Sequence, residues 1–419
     1  MVDRKIMPLK LDLGPMLDKR RHGRNEQMVS IIQEESGRGP GQLVQVKLLQ
    51  RLAEHSQTSI DTLCKIGKKL LEFDNHRNAR RVLEEAIKRD GNNVTANLLL
   101  GQVFMELRDY SSSSKFLRAA LSLAPRDTRT MTKLGQCLSL WGGNAEEALE
   151  LFNEAIGVDK GCTEAYSGLV IQYLRRREPQ LALEICQQAI SAFGPLSDFL
   201  SLLSVAIGET GDMVALKKLV DFDHLLWEIL PKASCNPAPR EWNSLVADEI
   251  VGHQLLEYEP KTSATREGWH ANLPDVENSK PLKLLSKYIC REAEKYIKSL
   301  ERMQDHPMWI GKPERLRLQM WGSVLMTDGH LTAHFHPSGW ISGVYYVEVP
   351  ACANTSRSGW IEFGPPHRDF HLRHTPPSKF VKPREGLLLL FPSFFFHSTL
   401  PLDGAPGRRI SIGFDLMPP

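Results

Sequence analysis

No two of the seven cysteines in this 419-residue chain stand at C-x-x-C spacing, and their number is odd. A disulfide framework is therefore not expected, and a reducing, cytoplasmic compartment fits. Long apolar runs are also missing. None approaches the roughly 18 residues that span a bilayer, and the richest, Leu387 to Phe391, is only strand length. The first residues carry Asp3, Lys5, Lys10, Asp12 and Asp18 where a signal peptide would have an apolar centre. Charge of one sign is scarce, because the formal net charge is only +2. No global case exists for nucleic acid or for a membrane surface. One basic run, Lys19-Arg20-Arg21-His22-Gly23-Arg24, lies in a polar stretch and reads as a solvated tail. What is present is ordinary for a globular protein: 42% hydrophobic and 24% charged residues, in a chain long enough for two or three domains.

An internal repeat starts near residue 59. Ile66-Gly67, Leu100-Gly101 and Leu134-Gly135 recur at an interval of 34 residues. A small residue follows each glycine at Ala79, Ser113 and Ala148, and seven positions later stand Ala86, Ala120 and Ala155. Val170, Ala182 and Ala189 continue the columns into a fourth unit. A degenerate fifth unit over 199–220, with a Gly211-Asp212 turn, is expected to cap the stack. The pattern resembles the tetratricopeptide repeat, in which paired helices approach closely only at small residues. The resemblance implies a surface that holds a protein or peptide. Cysteines on such helices read as small buried hydrophobes.

Beyond residue 222 the texture changes. Pro231, Pro237 and Pro239 interrupt the helical pattern, and helices are expected over 242–257 and 282–300. From Arg315 the sequence turns to short β segments, expected over 315–325, 340–349, 359–363, 386–391, 394–399 and 408–415. The expected architecture is multidomain α + β. A polar, partly disordered segment (1–58) precedes an α-helical tetratricopeptide solenoid (59–222). A helical linker and support (223–314) then leads to a double-stranded β-helix, or jelly-roll, core (315–419).

The chemistry concentrates in that last region. His334 and His336 are spaced i, i+2, which on a strand places both on one face. His397 and Arg409 follow in a second apolar stretch. The segments HFHPSGWISGVYYVEV (334–349) and EGLLLLFPSFFFHSTLPLDGAPGRRISIGF (385–414) resemble the motifs of the Fe(II)/2-oxoglutarate dioxygenase superfamily, and in particular those fused behind tetratricopeptide repeats. The resemblance implies an Fe(II) centre using 2-oxoglutarate and O₂ to hydroxylate a substrate. His334 matches the first iron histidine and His397 the distal one. Arg409 and Ser411 match an R-x-S element that grips the distal carboxylate of 2-oxoglutarate. Strand alternation puts Arg409, Ser411 and Gly413 on one face, and Ser342, Val344 and Tyr346 on another. Tyr346 is a candidate for a second hydrogen bond to the co-substrate.

One position departs from the commonest pattern. Two residues after the first histidine the superfamily usually has Asp or Glu, whereas here stands His336. It is expected to be a third nitrogen ligand. It could instead lie outside the coordination sphere, with water in the carboxylate position, or a distant carboxylate such as Asp328 or Glu362 could complete the site. Two other classes stay open: a repeat scaffold with an inactive oxygenase-like domain, and an all-histidine iron dioxygenase that does not use 2-oxoglutarate. His367, His371 and His374 form a second cluster in a proline-rich stretch, which reads as a loop over the site. Trp321, Trp340 and Trp360 read equally as core or as pocket lining, Tyr345 as core on the opposite sheet face, and His330 as an exposed side chain.

Overall fold

The computed structural model describes residues 42–419 apart from 56, 74, 143, 232–238, 261–262, 274–275, 352–356, 371 and 403–406. The N-terminal tail, its basic run, Cys235, Cys352 and His371 lie outside the described residues. The chain forms two compact units that divide between Leu123 and Ala124.

In the first unit, helices Gln42–Glu54, Ile60–Glu72, His76–Arg89, Val94–Glu106 and Tyr110–Leu123 follow one another. Their starts are written in the sequence. Ser59 accepts from the Thr62 N–H at 3.1 Å and Asn93 from the Ala96 N–H at 2.9 Å. Each thereby satisfies a donor that the first helical turn leaves open. The repeated glycines are sites of close approach. A Cβ on Gly67 would lie 2.6 Å from Leu83 Cγ, and one on Gly101 would lie 2.6 Å from Leu117 Cγ. Both alanine columns are fully buried throughout, at Ala79, Ser113, Ala148 and Ala182 and at Ala86, Ala120, Ala155 and Ala189. Ser113 keeps its place by donating to the Gly101 carbonyl at 2.8 Å. Gly101→Val should therefore destabilise the first unit by about 1–3 kcal/mol, the range for overpacking a dense core, read as a lower midpoint in urea unfolding followed by circular dichroism.

The second unit opens with the same grammar. Helices Thr128–Trp141, Ala145–Val158, Thr163–Arg175, Pro179–Phe193, Ser197–Thr210 and Met213–Leu219 are paired, and Phe152 packs against both Gly135 and Gly168. Gly211 is left-handed (φ 84°), and Asp212 caps the next helix by accepting from the Ala215 N–H. Cys64, Cys137, Cys162 and Cys186 are buried thiols. Burial pushes Cys64 up to about 11 and Cys186 up to about 12, so both are inert thiols at neutral pH.

Ten strands follow among the described residues: β1 Trp227–Ile229, β2 Glu257–Tyr258, β3 Thr265–Asn272, β4 Arg317–Leu331, β5 Ile341–Glu348, β6 Ile361–Phe363, β7 Lys379–Val381, β8 Leu388–Pro392, β9 His397–Thr399 and β10 Arg409–Met417. A seven-stranded sheet has the order β1-β8-β5-β10-β4-β3-β2, and a three-stranded sheet has the order β7-β6-β9. Every pairing is antiparallel. Chain segment 223–314 contributes β1, β2 and β3 as well as helices Pro239–Val251 and Lys280–Leu300. Strands of two or three residues carry no readable alternation, and Gly268 and Pro260 interrupt the pattern around β3. The expected helix over 242–257 stops at Val251. The expected strand over 394–399 begins only at His397, since Phe394 and Phe395 lie in a turn. Among the described residues, no helix is long and apolar enough to cross a membrane.

β10 lies between β4 and β5, and its two faces differ. Ile410, Ile412 and Phe414 are fully buried on one face. Arg409, Ser411 and Gly413 stand on the other. Helix Lys280–Leu300 buries Leu285, Ile289 and Tyr296, and the Tyr296 hydroxyl donates to the Leu225 carbonyl at 2.7 Å.

His306 makes a measurable joint in this unit. Its Nδ1 accepts from the Met308 N–H, and its Nε2 meets the Leu219 carbonyl, both at 3.1 Å. A neutral ring serves both contacts. Burial holds its pKa below the usual histidine value despite the Leu219 carbonyl. The same sign applies to His270, His334 and His397. As pH falls below about 6.5, these rings protonate in the unfolded chain first, so stability drops with falling pH until the folded values are reached. His306→Asn keeps an acceptor for Met308, and should make the loss between pH 6.5 and 5.5 shallower by up to about 1.4 kcal/mol per pH unit.

Candidate metal centre and anion socket

His334, Phe335 and His336 do not belong to a regular strand. β4 ends at Leu331, and the chain bends at Ala333 before it reaches Pro337, whose ring biases His336 toward extended backbone. This segment is nonetheless fixed by backbone hydrogen bonds. His334 N–H donates to the His397 carbonyl at 3.0 Å, and His397 N–H returns the bond at 2.9 Å. His336 N–H donates to the Ser393 carbonyl at 2.9 Å. Phe335 and Phe396, which sit beside the histidines in sequence, pack on each other with centroids 5.2 Å apart. Phe370, from the 364–378 loop, packs edge-on against Phe396.

The three imidazoles converge. His334 and His397 have ring centroids 4.3 Å apart, His336 and His397 5.1 Å, and His334 and His336 5.3 Å. One ring nitrogen from each lies within 4.8 Å of the others. The remaining nitrogens are engaged. His334 Nδ1 meets the Thr332 carbonyl at 2.7 Å, His397 Nδ1 meets the Phe395 carbonyl at 3.0 Å, and His336 Nδ1 meets Asp415 Oδ1 at 2.6 Å. Oxygen acceptors at all three Nδ1 atoms require Nδ1–H, and in a neutral ring that leaves the Nε2 lone pair free. Burial holds His334 at about 3, with His336 adding to the depression, and holds His397 well below the usual value. Both rings are neutral, as metal ligation requires. This donor set fits a divalent transition metal such as iron.

Asp328 and Glu362 are not in this cluster. Asp328 has left-handed backbone (φ 66°), and its N–H donates to the Leu402 carbonyl. Glu362 is pushed up by burial while Arg357 and Ser378 pull it down. It alternates with Ile361 and Phe363, whose register partners are Thr399 and His397. Sequence reasoning missed Asp415. Its signal was the same alternation that linked 409, 411 and 413, carried one step further.

Arg409 is 1% exposed, with no carboxylate bonded to it among the described residues. Nη1 donates to the Gly359 carbonyl at 2.7 Å, whereas buried Nε has no hydrogen-bond partner. The guanidinium carbon lies 5.9 Å from the centre of the Tyr346 ring. Burial lowers the Arg409 pKa and raises that of Tyr346 to about 12. Ser411 is the register partner of Tyr346 on β5 and of Ser323 on β4. One cavity is lined by His334, His336 and His397 and also by Arg409, Ser411 and Tyr346. A buried cation with an unmet donor, facing a cavity, is a socket for an anion.

Trp321 also lines this cavity, 5.3 Å from the His336 ring. Gly413 permits that position, because a Cβ there would collide with the indole. Trp340 belongs to the core and donates to the Met308 carbonyl. Tyr345 points to the opposite face, where its hydroxyl donates to Asn243. His330 bonds the Asp328 carbonyl rather than the cavity. The 364–378 loop contains only a single 3₁₀ turn, Arg368–Phe370, and no helical metal face among the described residues. The N–H groups of Arg373 and His374 donate to the Glu209 carboxylate, tying the loop to helix Ser197–Thr210.

Comparison with known families finds two matching regions. Residues 319–415 match the family described as "Putative 2OG-Fe(II) oxygenase", and residues 70–134 match the tetratricopeptide repeat. Two separate regions of the chain thus resemble these two families. No curated protein matches it. Among solved structures, it is similar to MamA 41-end from Desulfovibrio magneticus RS-1 at 20% identity, over 41% of this chain and 96% of that one, with a TM-score of 0.36. It is also similar to a thermophilic TPR protein from Thermus thermophilus at 16% identity, over 39% and 89% of the two chains, with a TM-score of 0.35.

Proposed function

We propose that this protein is an Fe(II)/2-oxoglutarate-dependent dioxygenase that hydroxylates its substrate, with the repeats recruiting a protein or peptide. The observation that carries the reading is the joint one. Three converging imidazoles share a cavity with a buried arginine whose Nε lacks a partner. His334, His336 and His397 would hold the iron. Arg409 would grip a carboxylate through its fork, with Ser411 and the Tyr346 hydroxyl as further donors. The iron supplies redox chemistry with O₂ when bound. The chain's own part is to fix the imidazole tautomers through Thr332, Phe395 and Asp415. It also places the co-substrate anion on Arg409 and keeps the surroundings dry. In this reading 59–222 is the recruitment domain, 223–314 supports the site, and 315–419 is a jelly-roll core. The buried thiols fit a reducing compartment such as the cytoplasm.

A second reading has its own observation. With His336 in place of a carboxylate, the ligand set is that of an all-histidine iron dioxygenase, which needs no 2-oxoglutarate. The unsatisfied Nε of Arg409 favours the first reading, since that alternative gives it no ligand. Incubating the iron-loaded protein aerobically with 2-oxoglutarate decides between them. The proposal expects succinate at a rate that depends on both iron and 2-oxoglutarate. Iron binding without any succinate above the protein-free control would favour the alternative, and no iron binding would leave a scaffold.

A further inference from the structure

Of the three histidines, only His336 meets a charged acceptor. His334 and His397 donate to the backbone carbonyls of Thr332 and Phe395, whereas His336 Nδ1 lies 2.6 Å from Asp415 Oδ1. The carboxylate is built in. Asp415 faces Ser342 across the β10–β5 register, and the Ser342 hydroxyl donates to the same Oδ1 at 2.6 Å. Ser342 is held in turn by Ser393 at 2.8 Å. The side chains of His336 and Asp415 are only 10% and 14% exposed. Gly339 clears the space, because a Cβ there would lie 3.2 Å from the Asp415 carboxyl carbon.

Resting on the metal reading above, we propose that Asp415 is a positioning residue for the metal. Through His336 it supplies, one hydrogen bond back, the negative charge that a directly ligating carboxylate would bring. A carboxylate on Nδ1–H fixes the tautomer, aims Nε2 at the metal and makes that nitrogen a stronger donor than a carbonyl acceptor does. The oxygenase motif and the aspartate thus compensate for each other. Where residue 336 is a histidine, the charge resides at residue 415.

The test uses the full chain with Co(II) as probe. Affinity is measured by competition with a chelator, and the ligand set is read from the visible cobalt spectrum. Asp415→Asn should weaken Co(II) binding about 10–100-fold, the range for loss of an outer partner of a ligating histidine, and should alter the spectrum. Asp415→Glu should restore part of the affinity. The decisive arm moves the charge inward. In His336→Asp the carboxylate ligates directly, so adding Asp415→Asn should cost nothing and should relieve repulsion between two carboxylates. Unchanged affinity in the single Asp415→Asn variant would overturn the proposal. So would an equal loss in both backgrounds, which would mean that Asp415 only supports the fold. If the parent protein binds no Co(II), the metal reading itself fails and takes this proposal with it.

Discussion

His397→Ala should abolish Fe(II) binding while leaving the chain folded. Removing one of three ligands is expected to cost more than the roughly 10–100-fold assigned to an outer partner. The fold should survive because the ring is neutral in the folded protein, so its loss strands no buried charge. What is lost is packing. The imidazole sits 4.9 Å from the Phe391 ring and 5.9 Å from that of Phe363, and its deletion leaves a cavity costing about 2–4 kcal/mol, by analogy with other large-to-small exchanges. The backbone pairing with His334 does not depend on the side chain. Circular dichroism should remain native, with a lowered melting midpoint, and equilibrium dialysis should find no iron. Retained stoichiometric iron would show that the cluster is not the metal site.

Arg409→Met should separate the two halves of the site. Two charge-assisted hydrogen bonds to a carboxylate contribute about 1.5–3 kcal/mol each. At about 1.4 kcal/mol per tenfold, 2-oxoglutarate affinity should fall by about 100-fold or more. Iron binding should persist, because Arg409 is not part of the histidine cluster. The metal-free variant should be no less stable than the parent. A fully buried guanidinium with an unmet Nε is costly, and an apolar side chain of similar length removes that cost. Thermal melts of the metal-free proteins together with 2-oxoglutarate titrations check both arms. A marked loss of stability with unchanged 2-oxoglutarate affinity would make Arg409 a structural residue instead.

The legible parts of this protein are those with a period. Buried small columns repeat every 34 residues, as at Ala79 and Ser113. The glycine beside each column is needed because a leucine or phenylalanine of the neighbouring helix occupies the Cβ position. β5 and β10 were legible as β-rich apolar stretches, and β10 alternates polar and apolar residues from Arg409 to Leu416. β1, β2 and β7 were not, because two or three residues define no alternation and their pairing comes from the tertiary fold. The ligand segment broke the rule that located it. His334 and His336 share a side through an extended stretch pinned to His397 and Ser393, not through a regular strand. Asp415 lies 79 residues beyond His336, and the β10–β5 register sets it opposite Ser342, six residues after that histidine.

The most direct test of the central claim is anaerobic titration of the Fe(II)-loaded chain with 2-oxoglutarate, followed by visible absorption. Bidentate binding of the keto acid to iron gives a charge-transfer band, and a saturable band is expected for the parent chain. It should be absent in His397→Ala and shifted to far higher 2-oxoglutarate concentration in Arg409→Met. A parent protein that binds iron yet shows no 2-oxoglutarate-dependent band, or a band indifferent to Arg409, would contradict the account.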